Sequence, residues 1–263
     1  MEYNADALNL ATQKARLRLL KMHHDAQCGH LGCNLSCLDA LITLYHVVMG
    51  GDDAFVLSKG HSAGALYVAL WSIGRLSDAD LDTFCRNGTR LPAHPTTDAP
   101  GVHFSTGSLG HGPSLAAGMA LARRAKGQAG DVYCLCSDGE WQEGSCWEAL
   151  IFSVHHRLDN LVILLDQNGL QAFGRTVDVA SIADLSSRLA AFGASVATVD
   201  GHDPKAIAAG IARRESAKPH IVVLRTRKGN GLHFEGLVES HYLALSEEQF
   251  LAACADTTGG TIN

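Results

Sequence analysis

Five short apolar runs punctuate the chain: AFVLS at 54–58, DVYCLC at 131–136, NLVILLD at 160–166, ASVATVD at 194–200 and HIVVLRT at 220–226. They lack the regular apolar–polar alternation of a strand with one wet face. Between the last four lie stretches of helical spacing, near 145–157, 181–192 and 204–214. Strands of this kind interleaved with helices predict an α/β fold, a single doubly wound and mostly parallel sheet with helices on both faces. Upstream, residues 5–24 place Leu8, Ala11, Ala15, Leu19 and Met22 on one side, the spacing of an amphipathic helix. A glycine-containing loop, CGHLGCN, is expected next. An apolar helix should then start at Ser36, with Asp39 three residues on as its start signal.

The stretch from Asn87 to Pro113 reads as a long loop, since Pro92, Pro95, Pro100 and Pro113 cluster there with Gly88, Gly101, Gly107, Gly110 and Gly112. A loop this long in a compact domain is usually functional or mobile. No repeat, low-complexity segment or linker interrupts the pattern. Residues 1–263 are therefore expected to form one domain, with the tail TTGGTIN fraying.

Composition narrows the function classes. With 46% hydrophobic and 18% charged residues, the chain has material for a full core. Its formal net charge of −6 and the absence of a basic run argue against nucleic acid as a partner. No apolar stretch approaches the roughly 20 residues of a membrane span. The opening MEYNADALNL lacks the basic-then-apolar order of a signal peptide, so a cytoplasmic protein is expected. Eight cysteines raise the question of metal or disulfide. Cys28, Cys33 and Cys37 are spaced C-x4-C-x3-C, without the C-x-x-C pairs of zinc modules. Cys134 and Cys136 read as small core residues of a buried strand. Reduced thiols with no functional message are expected throughout.

The chemistry concentrates at two dipeptides. Asp138-Gly139 falls just past the end of one apolar run, and Asn168-Gly169 closes the next, 30 positions later. Singly, each is an ordinary turn. As a pair after neighbouring parallel strands, they would share one rim of the sheet, where open α/β sheets bind ligands. A carboxylate, an amide oxygen and a loop carbonyl are hard oxygen ligands suited to Mg²⁺, and a helix N-terminus there offers N–H groups to an anion.

SDGEWQEGSCWEA followed by LDNLVILLDQNGLQAFG resembles the thiamine-diphosphate motif of the transketolase family. The resemblance continues in order through CGHLG (28–32), FVLSKGHSAGALY (55–67), AHP (93–95), STGSLGHG (105–112), VDGHD (199–203), RTRKGNG (225–231) and ESHY (239–242). It implies thiamine diphosphate as cofactor, with Mg²⁺ (or Ca²⁺ or Mn²⁺) held by Asp138, Asn168 and the Leu170 carbonyl. Gly139 would admit the diphosphate, and Gly107 and Leu109 would touch the aminopyrimidine. His30, His61, His94 and His241 match the family's active-site histidines, His61 and His241 near the diphosphate, His30 and His94 near the reacting sugar. Glu143, and with it Glu148, matches acidic residues near a dimer interface that link two cofactor sites.

In that family a second, pyrimidine-binding domain supplies a further glutamate. The chain ends at Asn263, so that domain is expected on a separate C-terminal subunit, in an assembly of two copies of each. Transfer of a two-carbon ketol unit from a ketose to an aldehyde is the implied activity, with a small sugar as substrate. Four positions depart from the family pattern: Ser137 for glycine, His111 for glutamine, Tyr242 for glycine, and Thr96 where an acidic residue is common. They leave the donor and acceptor open, including an unusual sugar or carrier-bound acceptor in a specialised pathway. The α-subunit of a 2-oxo acid dehydrogenase is the alternative within thiamine enzymes, and a noncatalytic transketolase-like protein the alternative outside catalysis. No G-x-G-x-x-G follows the first strand, which argues against a plain dinucleotide-binding protein.

Overall fold

The computed structural model describes residues 4–259. Helix α1 (Ala5–Ala26) begins where the Asn4 side chain accepts the Ala7 amide, and ends at Gln27 in a left-handed conformation. Helix α2 (Leu31–Thr43) runs on into a single π turn at Leu44–Val48. It starts well before Ser36. The Ser36 hydroxyl is turned inward to the Asp166 carboxylate, 2.5 Å away, so it caps nothing. The expected CGHLGCN loop shrinks accordingly to the residues before Leu31. Strand β1 (Ala54–Leu57) leads through a tight turn at Gly60–Ser62 into α3 (Ala63–Ser72), followed by the short α4 (Asp78–Leu81).

Helix α5 (Gly112–Ala125) carries Pro113 in its first turn, where a missing N–H costs nothing. The long loop therefore ends at His111. Strand β2 (Val132–Ser137) passes through a turn at Gly139–Gln142 to α6 (Gly144–His155). Strand β3 (Leu161–Gln167) is followed by the small hairpin of β4 (Leu170–Gln171) and β5 (Gly174–Arg175). Then come α7 (Thr176–Val179), α8 (Leu185–Ala191), β6 (Ser195–Asp200), α9 (Pro204–Ala212) and β7 (His220–Arg225). Helices α10 (Glu239–Tyr242) and α11 (Glu247–Thr258) close the described chain. Thr257 and Thr258 of the expected frayed tail are thus helical, and residues 260–263 lie outside the described part.

The main sheet has the order β1-β2-β3-β7-β6, with every pairing parallel. One face buries Phe55, Leu57, Tyr133, Leu135, Val162, Leu164, Val222 and Leu224 under α1, α2, α3 and α9. The other buries Val56, Val132, Cys134, Cys136, Ile163, Leu165, Ile221 and Val223 under α5, α6 and α8. In β1, β2, β3 and β7 both faces are dry, which is why those strands do not alternate, whereas the edge strand β6 is exposed at Thr198 and Asp200. Each fully buried aliphatic side chain contributes roughly 1.5–3 kcal/mol through the water it no longer orders.

The segment Leu31–Val48 is long and apolar enough by composition to cross a membrane, with mean hydropathy 1.4 over 18 residues. However, 78% of it is buried inside the fold, which makes it a core helix. Register sets the rim: Ser137 lies beside Asp166, and Asp166 beside Leu224. The residues just past β2, β3 and β7 therefore emerge side by side.

Candidate active site

Asp138 stands one residue past β2 and is buried. One carboxylate oxygen accepts the Gly139 amide at 3.0 Å; the other accepts the Gly169 amide at 2.8 Å and the Thr176 hydroxyl at 3.2 Å. The two turn dipeptides of the sequence are thus joined directly. Burial, and then the negative charge of Asp166, pushes the Asp138 pKa up to about 6. Asn168 is fixed at both ends of its amide. Its oxygen accepts the Leu170 N–H at 3.0 Å, and its nitrogen donates to Asp166 at 3.2 Å. A buried carboxylate, an amide oxygen and the Leu170 carbonyl form a hard-oxygen donor set, and a divalent cation would relieve the cost of burying Asp138. The residues fit such an ion. Among the described residues no group of three His, Cys, Asp or Glu side chains is arranged for a metal.

Behind this set lies an ion pair the sequence did not reveal. Lys59 and Asp166 are both fully buried and bonded to each other. Lys59 also donates to the Cys33 carbonyl at 3.0 Å, while Ser36 and Thr226 donate to Asp166. Burial is the largest influence and raises the Asp166 pKa, but the Lys59 charge and the hydrogen bonds from Lys59, Ser36 and Thr226 together hold the carboxyl below its ordinary range. One ion pair thereby ties α2, the turn after β1 and the ends of β3 and β7.

The four motif histidines converge. His30 is central, with ring centroids 4.9 Å from His241, 5.6 Å from His94 and 5.8 Å from His61; His61 and His241 are also 5.8 Å apart. All four pKa values lie below the ordinary histidine value, in each case chiefly through burial. His94 adds to the effect at His30 and Lys59 at His61. His241 falls to about 3, with Lys228 as the second cause. Neutral imidazoles are the result at pH 7. Lys228, 1% exposed, donates to His241 Nδ1 at 2.9 Å and to the Leu170 carbonyl at 3.3 Å. With Nδ1 accepting, the proton of neutral His241 is assigned to Nε2.

The backbone holds the cluster as firmly as the side chains. The His30 amide donates to the His241 carbonyl at 2.9 Å, from a left-handed φ of 67°. Gly32 faces Ser240, whose Cβ would be 2.6 Å from any Cβ at that position. This close approach of α2 and α10 requires glycine.

Glu140, fully buried, is the second group that sequence reasoning missed. It accepts from Ser58, from the Gly110 amide at 3.0 Å and from the Ser137 amide at 2.8 Å. It pins the TGSLG loop to the ends of β1 and β2, and the Thr106 hydroxyl adds a bond to the Leu57 carbonyl at 2.6 Å. Gly107 lies against the His94 ring, and Leu109 is exposed on the same loop. Gly139 faces the Gln171 side chain. Glu143 is exposed at the start of α6, beside Gly110, and Glu148 is exposed one turn further on. The structure does not bring either glutamate into the histidine cluster.

Residues 9–258 match the family model described as transketolase, thiamine diphosphate binding domain. The chain belongs to the transketolase family. One of the subunits of apulose-4-phosphate transketolase from Phocaeicola vulgatus is 36% identical, over 96% of this chain and 94% of that protein. The 6-deoxy-6-sulfo-D-fructose transketolase subunit SqwG of a Clostridium species is 39% identical, over 87% of this chain and 88% of its own length. Among solved structures, transketolase from Campylobacter jejuni superposes with a TM-score of 0.90 at 29% identity, over 99% of this chain and 44% of that one. The chain therefore spans about two-fifths of a solved transketolase and nearly all of the subunit-type relatives.

Tyr242, one of the departures from the transketolase pattern, has a defined place. Its hydroxyl donates to the Ala172 carbonyl at 2.8 Å and its ring packs on His241, so it links α10 to the hairpin carrying Leu170. His111 is exposed at the start of α5, its Nδ1 3.1 Å from the Ser108 and Leu109 carbonyls.

Proposed function

We propose that this transketolase-family chain is the diphosphate- and metal-holding subunit of a split enzyme, completed by a separately encoded subunit with the pyrimidine-binding domain. Thiamine diphosphate, when bound, supplies the carbanion chemistry that moves a two-carbon ketol unit from a ketose to an aldehyde. Asp138, Asn168 and the Leu170 carbonyl would hold Mg²⁺. His61 and His241 face the diphosphate, and His30 and His94 face the oxygens of the sugar. As neutral imidazoles near pH 7 each offers one N–H to donate and one bare ring nitrogen to accept a hydrogen bond from these oxygens. Gly107 and Leu109 receive the aminopyrimidine, and Gly139 the diphosphate. Glu143 and Glu148 lie toward a second copy of the chain in an assembly of two copies of each subunit, in the cytoplasm.

One observation carries this reading. An unbroken path runs from the His30 amide to the His241 carbonyl, from His241 Nδ1 to Lys228, and from Lys228 to the Leu170 carbonyl. That path supports grouping the histidines with the Leu170 carbonyl, one of the proposed oxygen donors. The names of the two relatives described above, an apulose phosphate and a sulfofructose transketolase subunit, favour a ketose bearing an anionic group as substrate.

The test is calorimetry on the complex reconstituted with its partner subunit. Asp138→Ala is expected to abolish Mg²⁺-dependent thiamine diphosphate binding in a chain that stays folded by circular dichroism, its thermal midpoint lowered by the loss of the hydrogen bonds Asp138 accepts. Unchanged affinity would remove the metal assignment. Turnover with ketose donors and none with pyruvate separates this reading from a 2-oxo acid dehydrogenase subunit.

A further inference from the structure

Cys28 and Cys85 come from distant parts of the chain, yet their sulfur atoms lie 3.6 Å apart. Both residues are half-buried, whereas Cys33, Cys37, Cys134, Cys136 and Cys146 are buried. Cys85 lines a surface pocket of about 180 Å³ together with Arg18, Asp25, Phe84 and Arg86, and Cys28, outside that lining, is itself partly exposed to solvent. Cys134 and Cys136 also approach each other, at 3.7 Å, but they sit in the sealed core of β2.

The loop that bears Cys28 also bears His30. Gln27 and His30 flank it with left-handed φ values of 48° and 67°, and Cys85 has 58°. Such conformations are unfavourable in residues other than glycine and persist only where contacts enforce them. The Cys28 amide is bonded to the His23 carbonyl, and the Cys85 amide to the Leu91 carbonyl. Gly29 is pressed against the Tyr242 backbone.

We propose that Cys28 and Cys85 are a reversible oxidation site, forming a disulfide under peroxide that displaces His30 and lowers turnover. The Cys28 thiolate attacks one oxygen of hydrogen peroxide; an S–O bond forms, the O–O bond breaks, and hydroxide leaves to be protonated to water. Cys85 sulfur then attacks the Cys28 sulfenic acid. The S–S bond forms, the S–O bond breaks, and the Cys85 proton leaves with the hydroxyl as a second water. Two thiols lose two electrons and one peroxide takes them up. The Cys85 S–H donates to Cys28 sulfur, which stabilises the Cys28 thiolate and lowers its pKa, making it the attacking member. A disulfide requires about 2.05 Å between the sulfurs, so they approach by roughly 1.5 Å, and whatever side-chain rotation does not supply is taken up by the loop that bears His30. Misplacement on that scale in an active site lowers turnover by about tenfold or more.

The consequence for turnover rests on His30 being a site residue, as proposed above; the bridging does not, and the two are read separately. The full chain is treated with hydrogen peroxide, digested without reduction and mapped by mass spectrometry. A peptide joining Cys28 to Cys85 and the loss of two free thiols are expected. In the complex with the partner subunit, turnover should fall on oxidation and return with dithiothreitol. Cys85→Ser should leave a sulfenic acid on Cys28 that dimedone captures, and it should lack the bridge. Absence of the bridged peptide from oxidised wild type overturns the site. A formed bridge with unchanged turnover overturns its reach to His30. Failure of the unoxidised complex to turn over counts against the proposed function instead.

Discussion

Lys59 and Asp166 show how much one residue pair decides here. Neither side chain reaches solvent, and each is the other's charge partner. Removing one partner leaves an uncompensated buried charge, which costs about 3–5 kcal/mol, far more than a surface pair. Lys59→Met is therefore expected to lower the stability measured by urea unfolding by that amount. Lys59→Met with Asp166→Leu should recover part of the loss, and additive losses would show that the pair does not act as a unit.

His23 makes a different prediction at the same scale. It is 2% exposed, its Nε2 has no partner, and burial holds its pKa at about 4. The folded chain keeps it neutral, while the unfolded chain protonates it below about 6.5. Between those values the unfolded state binds more protons, so stability rises with pH. This contribution is complete above about 6.5 and declines as pH falls toward 4, by roughly 3 kcal/mol over the window. Urea unfolding of wild type and His23→Leu at both pH limits checks this, and the variant should show the shallower acid decline.

At the scale of elements, the site depends on how closely helices and loops approach one another. Helix α10 carries His241 and is seated on α2 through the Gly32–Ser240 contact. A methyl at position 32 cannot fit unless α10 moves. Gly32→Ala is expected to destabilise by about 1–3 kcal/mol through overpacking. It should weaken thiamine diphosphate binding in the complex beyond what the lost stability explains. Equal affinity with a lowered midpoint would place Gly32 in packing alone. The long loop illustrates the same dependence. It lacks regular structure, yet Leu91 and Ala99 are buried, Tyr67 bonds the Pro92 carbonyl, and Glu140 holds its far end. Its irregularity reflects the path it must take past the sheet rim.

For the whole molecule, the apolar surface beside the site matters most. Phe173 is 85% exposed at the tip of the β4–β5 hairpin, with Leu237, Tyr242 and Leu243 also exposed and Tyr242 bonded to the base of that tip. Apolar groups at the mouth of a half-site suit contact with the subunit proposed to complete it. Phe173→Asp is expected to weaken association with the partner, read by sedimentation, and to leave the thermal midpoint of the isolated chain unchanged. Undiminished association would place the partner on another face.

The sequence by itself determined the layered α/β architecture, because dry strands and amphipathic helices differ in period and the five apolar runs show it plainly. It also determined the position of Asp138 and Asn168, since residues just past parallel strands share a rim whatever the loops do. Helix α3 carries no such signal, because it is buried almost all round and shows no period. Only the tertiary structure decided that Lys59, Glu140 and Lys228 lie inside rather than on the surface. A charged residue's burial depends on partners that are distant in the chain, Asp166 from Lys59 and Leu170 from Lys228. The same holds for Cys28 and Cys85: their spacing gives no hint of a pair, and the fold alone sets one sulfur against the other.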